Sequence, residues 1–114
     1  MSISSIQNSI ERTQRDIQNL NNKLTDETKK EADRSDKIFR AKQTISRSKS
    51  NSTIQSKSRE IQRYEGEVSQ IHKKKAELTK QIGNKTKQLY SYHNQLNKVQ
   101  NREQKKHLEF LRRE

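Results

Sequence analysis

One spacing dominates this chain: Ile3, Ile10, Ile17, Leu24, Glu31, Ile38 and Ile45 recur every seven residues, and so do Ile54, Ile61, Val68, Lys75, Ile82, Leu89, Leu96, Glu103 and Phe110. Seven residues are close to two helical turns, so the repeat draws an apolar stripe along one face of a long helix, and that stripe needs another helix to cover it. Between Ile45 and Ile54 the step is nine. The break falls inside Ser46-Arg-Ser-Lys-Ser-Asn-Ser-Thr-Ile-Gln-Ser-Lys-Ser58, where serine hydroxyls compete with helical hydrogen bonds and favour caps and turns. The expected fold is all-α: an antiparallel two-helix coiled-coil hairpin with a longer second helix, assembling into a dimer or higher oligomer. It forms a single coiled-coil domain over residues 1–114, with helix one at about 3–47, an elbow at about 48–51 and helix two at about 52–112.

Composition agrees with helices and excludes most other classes. Hydrophobic residues make up 25% of the chain and charged residues 35%, too lean an apolar share for an ordinary globular core. Proline is absent, so nothing forbids long helices. Cysteine is absent too, which removes disulfides, thiolate nucleophiles and thiolate zinc sites. No apolar run approaches the roughly 20 residues needed to cross a bilayer, and Met-Ser-Ile-Ser-Ser-Ile-Gln-Asn lacks the leader of a secretory signal. A cytoplasmic protein with no membrane partner is expected. Helix two ends open, without a glycine cap or stop signal, so the chain reads as a piece of a longer protein.

With Ile3 at heptad position a, Ile6, Thr13, Leu20, Glu27, Arg34 and Ala41 take d; on helix two, Tyr64, Ile71, Leu78, Tyr92 and Val99 take d. Ser4 with Gln7, and Ser52 with Gln55, have the spacing of capping boxes. The turn is placed at Ser48 to Asn51, with Ser52 capping helix two and Asn51 at the tip, a residue suited to left-handed backbone. Folding the chain there sets Ile10 by Tyr92, Leu20 by Ile82, Leu24 by Leu78, Ile38 by Tyr64, Ala41 by Ile61 and Ile3 by Val99. It also sets Glu27 against Lys75. Glu27, Glu31 and Arg34 interrupt the stripe; a weakly packed, partly hydrated section is the plainer reading, and polar residues that fix register and partner the sharper one.

No catalytic constellation is visible, and neither a cofactor nor a metal is expected. His72, His93 and His107 are spread along helix two with no cysteine or paired carboxylate at ligand spacing, and read as solvated surface residues. Beyond about Gln100, helix two has no partner in helix one, yet it carries Leu108, Phe110 and Leu111. These three, with Val99, are the candidate self-association residues. The net charge of +12 raises a competing reading, because Lys73, Lys74, Lys75, Lys80, Lys85, Lys87, Lys98, Arg102, Lys105 and Lys106 supply the cations that phosphate binding needs. These residues spread around the helix instead of lining one groove, and Tyr64 and Tyr92 are assigned to the seam, leaving little aromatic surface for base stacking. Nucleic-acid or polyanion binding is therefore the alternative. A secreted hairpin that partners a toxin ranks last, since the Trp-x-Gly turn of one such class is missing.

The residues Ser50-Asn-Ser-Thr-Ile-Gln-Ser-Lys57 and the polar heptads that follow to His72-Lys-Lys-Lys-Ala-Glu-Leu78 resemble the N-terminal coiled-coil region of bacterial TIR-domain proteins. That region commonly carries a Ser-x-Ser-Thr-Leu-x-Ser/Thr-Lys turn before a Lys-rich helix. Those relatives often have proline between the two serines, where this chain has Asn51. The resemblance implies a longer bacterial parent in which this hairpin precedes a TIR domain that cleaves NAD, and in which the coil holds TIR domains together for signalling or defence against phage. The TIR domain itself is absent from these 114 residues, so the chain is expected to be a non-catalytic oligomerisation and scaffolding module that partners itself.

Overall fold

The computed structural model describes residues 2–113. Two helices hold nearly all of them: α1 (Ile3–Arg47) of 45 residues and α2 (Asn51–Arg113) of 63 residues, with no strand among the described residues. They form a helical hairpin. Its antiparallel sense is read from side-chain pairs: Glu27 meets Lys74, and Arg34, seven residues on along α1, meets Glu67, seven residues back along α2.

Serine hydroxyls set the helix ends, at positions other than the expected ones. The α1 cap is Ser2 and not Ser4: its Oγ accepts the Ser5 backbone N–H at 3.1 Å and its carbonyl accepts the Ile6 N–H at 3.1 Å. At the elbow Ser50, and not Ser52, precedes α2. The Ser50 carbonyl accepts the Ile54 N–H at 3.0 Å and its Oγ lies 3.4 Å from the Thr53 nitrogen. Ser52 sits inside the first turn, its Oγ 3.1 Å from that of Ser50.

Asn51 is the first residue of α2 rather than a left-handed tip, and no described non-glycine residue has positive φ. The reason lies in two hydroxyls and one backbone bond that satisfy groups a left-handed residue would otherwise satisfy. Ser46 Oγ donates to the Gln43 carbonyl at 2.8 Å, the Ser48 N–H reaches the Ile45 carbonyl at 3.2 Å, and the Ser50 N–H donates to Ser48 Oγ at 3.1 Å. The connection therefore needs only residues 48–50.

Contacts gather the hairpin into two compact units: Asn21–Lys80, which holds the elbow, and Met1–Leu20 with Gln81–Glu114. In the elbow unit Ala41, Ile71 and Leu78 are buried, while Leu24, Ile38, Ile61 and Tyr64 are half-buried. In the other unit Ile6 and Ile10 are buried, and Leu20, Ile82, Tyr92 and Val99 are half-buried. Thr13 is buried there as well, its hydroxyl donating to the Ser9 carbonyl at 2.8 Å. Within the helices, the side chains that are not fully exposed fall at heptad positions a, d and g, as expected where each helix covers one narrow stripe of the other.

The interruption by Glu27, Glu31 and Arg34 is not a loosely hydrated section at its first member. Glu27 is only 4% exposed, and its Oε1 receives Nζ of Lys30 and of Lys74, each at 3.2 Å. The expected partner, Lys75, instead stands 3.5 Å from Glu31. The reach of the lysine explains the change: Lys74, at a g position with a mostly exposed side chain, brings its ammonium to Glu27 from the solvent side, whereas Lys75 stands inside the seam.

Candidate self-association surface

The end of α2 carries the largest group of uncovered apolar side chains. All residues from 101 to 113 are exposed, and among them Leu108, Phe110 and Leu111 are 54%, 59% and 52% exposed. Helical geometry turns Leu108 and Leu111 to adjacent positions and places Phe110 about 100° round from Leu111, on the far side from Leu108. Glu103, Gln104, His107 and Leu108 line a shallow hollow of about 430 Å³ on that stretch. Val99, grouped with these three on sequence grounds, lies half-buried in the seam and is not part of the open end.

The two long sides of each unit differ. In the elbow unit a hollow of about 260 Å³ is lined by Lys37, Arg40, Ala41, Thr44, Lys57, Glu60 and Tyr64. In the other unit one of about 130 Å³ is lined by Ser9, Arg12, Thr13, Asp16, Lys85, Gln88 and Tyr92. Apart from two c residues, Arg12 and Arg40, these are d and g residues of both helices, so the d and g rows of the two helices share one side. Lys85 and Asp16 meet there at 3.2 Å. The e rows lie on the other side, where every e residue of both helices is exposed. Up to Leu96 the a residues next to them are half-buried, with Ile10 the buried exception, and beyond it Glu103 and Phe110 are exposed.

Ion pairing neutralises part of the basic surplus. Lys74, Lys75 and Lys85 meet Glu27, Glu31 and Asp16, and Arg34 pairs with both Asp33 and Glu67, at 2.7 and 3.0 Å. His72 is not merely solvated: its Nε2 lies 2.6 Å from Glu31 Oε2. Burial pushes the Glu27 carboxyl up, but the hydrogen bonds from Lys74 and Lys30 outweigh it and hold the group below the usual glutamate range. Asp33 is also lowered, by Lys37 first and then Arg34, and Arg34 is raised by Asp33 and Glu67. Around the Tyr64 ring, Lys37 Nζ lies 5.6 Å and Arg63 Cζ 4.9 Å from the centroid.

Two exposed aromatic residues escape a search confined to the seam. Phe39 is 60% and Tyr90 70% exposed, and both occupy position b, one residue past an a residue. The signal was present in the sequence: they are aromatic residues outside the a and d rows. Among the described residues no three His, Cys, Asp or Glu side chains gather to hold a metal, and no described helix is long and apolar enough to cross a membrane.

Nothing among family models, curated proteins or solved structures matches this chain.

Proposed function

We propose that this chain is a non-catalytic self-association module, a coiled-coil hairpin that holds copies of itself together and so brings whatever is joined to it into proximity. The observation that carries the reading is the open end of α2, where Leu108, Phe110 and Leu111 are each more than half exposed. Apolar side chains grouped on one helix end lose water contact favourably when another helix covers them. The likeness of Ser50 to Lys57 and of the heptads beyond to the coiled-coil region of bacterial TIR-domain proteins supports the same role. On that reading the joined domain is a NAD-cleaving TIR domain and the setting is bacterial cytoplasm.

The test is sedimentation equilibrium of the 114-residue chain over a concentration series, beside the triple variant Leu108→Ser, Phe110→Ser, Leu111→Ser. The expected result is a dimer or higher oligomer that dissociates in the variant, with helicity retained. A chain that stays monomeric at high micromolar concentration overturns the proposal.

The second reading, polyanion binding by α2, has the net charge of +12 in its favour, although acidic partners already occupy Lys74, Lys75 and Lys85. Duplex binding with a steep salt dependence, abolished by charge reversal at Lys73, Lys74 and Lys75, is the result that selects it.

A further inference from the structure

The unit made of residues 2–20 and 81–113 has one strongly charged long side and one sparsely charged long side, and we infer that the sparsely charged side is the face on which a second copy of this chain docks. The inference rests on the self-association reading and extends its surface beyond the end of α2.

The sparsely charged side is built from rows e and b. On α2 the b row reads Gly83, Tyr90, Asn97, Gln104 and Leu111, and the e row beside it reads Thr86, His93, Gln100 and His107. On α1 the same rows supply Ser4, Gln7, Gln14 and Gln18, and Glu11 is their one acidic or basic member in this unit. All of these side chains are exposed, in a protein of which 35% of residues are charged. Two further charges border this side, Arg15, which lines a hollow with Glu11, Gln14 and Gln18, and Glu103 at a; most of the others stand elsewhere: Arg12, Asp16 and Lys85 on the d and g side, Lys98 and Lys105 at c, and Arg102 and Glu109 at g.

Helix packing puts the face where it can be used. The hollow between Thr13, Asp16, Lys85 and Tyr92 shows the d and g rows of both helices on one side, so the e rows of both helices border the opposite side. On that side the seam is less closed: Ile3, Ile17, Ile82, Leu89 and Leu96 are half-buried, and Ile10 alone among its apolar members is buried. Tyr90, 70% exposed, stands beside them at the centre of the b row, and Leu111 continues the row into the exposed end of α2.

The occupant follows from charge. Two copies that each carry +12 repel one another across any face that bears the surplus, and like charges brought together in an interface cost several kcal/mol. The sparsely charged side is where a copy can approach with the least of that cost. Its amide and hydroxyl side chains each donate and accept hydrogen bonds, so a face made of them matches its own two-fold image. An acidic partner would instead be drawn to the basic rows and would gain nothing from a face of Gln, Asn, Ser and Thr.

The experiment uses the whole 114-residue chain. Tyr90→Lys with Asn97→Lys puts two charges on the b row. Asn84→Lys with Ser91→Lys puts the same two on the c row, and all four positions are exposed. Sedimentation equilibrium is expected to show dissociation strengthened by at least about tenfold in the b-row variant and by less than about twofold in the c-row variant. Circular dichroism should show equal helicity in both.

Because the protein has no cysteine, single substitutions give a second readout. Asn97→Cys is expected to form a disulfide-linked dimer under mild oxidation much faster than Ser91→Cys. An associating wild type whose two lysine variants weaken equally, or do not weaken, overturns the docking face while leaving self-association standing. A monomeric wild type overturns both.

Discussion

Ser50 and Glu27 are the residues whose roles depend most on their exact surroundings. Ser50 carries the start of α2 through its carbonyl and its hydroxyl, whereas Ser52 already lies within the helix. Ser50→Ala should therefore lower the unfolding free energy by about 0.5–1 kcal/mol, and Ser52→Ala should change it by only a few tenths. Urea denaturation of the two variants at one protein concentration distinguishes them; equal losses would return the cap to Ser52. Glu27 links folding to pH. Its folded carboxyl is held below the ordinary value of 4.5 because Lys74 and Lys30 donate to it despite its burial. The unfolded chain then binds this proton more readily, so the stabilisation is complete above 4.5 and is lost as pH falls through the lower folded value. Urea midpoints measured from about pH 7 to about pH 3 should fall more steeply for the wild type than for Glu27→Gln, the gap between them narrowing toward the acid end. A constant gap would show that Glu27 is not held in its charged form by folding.

At the scale of the element, each helix is long, polar and stabilised mainly along one stripe, so intrinsic helix propensity matters outside that stripe. Gly66 lies on the outer face of α2, and a Cβ added there meets nothing within 4 Å. Gly66→Ala should stabilise the hairpin by about 1 kcal/mol, read as a higher urea midpoint with an unchanged slope. No gain would mean that the outer face of α2 meets something at that point. Both helix spans were legible from the heptads, since α1 (Ile3–Arg47) ends within the last turn before the break and α2 (Asn51–Arg113) begins just before Ile54 restarts the register. The cap positions were not, because a string of serines offers several hydroxyls at nearly the right spacing. Only backbone geometry decides which of Ser48, Ser50 and Ser52 meets the orphan N–H groups.

For the whole molecule, the burial pattern predicts where substitutions are felt. Ile71 is 7% and Phe39 60% exposed. Ile71→Ala should cost about 2–4 kcal/mol, and Phe39→Ala within about 0.5 kcal/mol of nothing. Thermal or urea unfolding of the pair measures both, and comparable losses would show that Phe39 is covered in solution. The sevenfold spacing of Ile and Leu and its break in the serine-rich stretch by themselves determined two helices, their boundaries to within a residue or two and their antiparallel sense, because a stripe interrupted once by a turn hides from water by folding back on itself. The tertiary structure decided three further things. It put Lys74 rather than Lys75 on Glu27, because side-chain reach operates between positions that periodicity treats alike. It placed the turn in hydrogen-bonded serines rather than in a left-handed asparagine. It also separated a closed d and g side from an open a and e side, since rows equivalent in a heptad become unequal only when a second helix covers one flank and leaves the other to water.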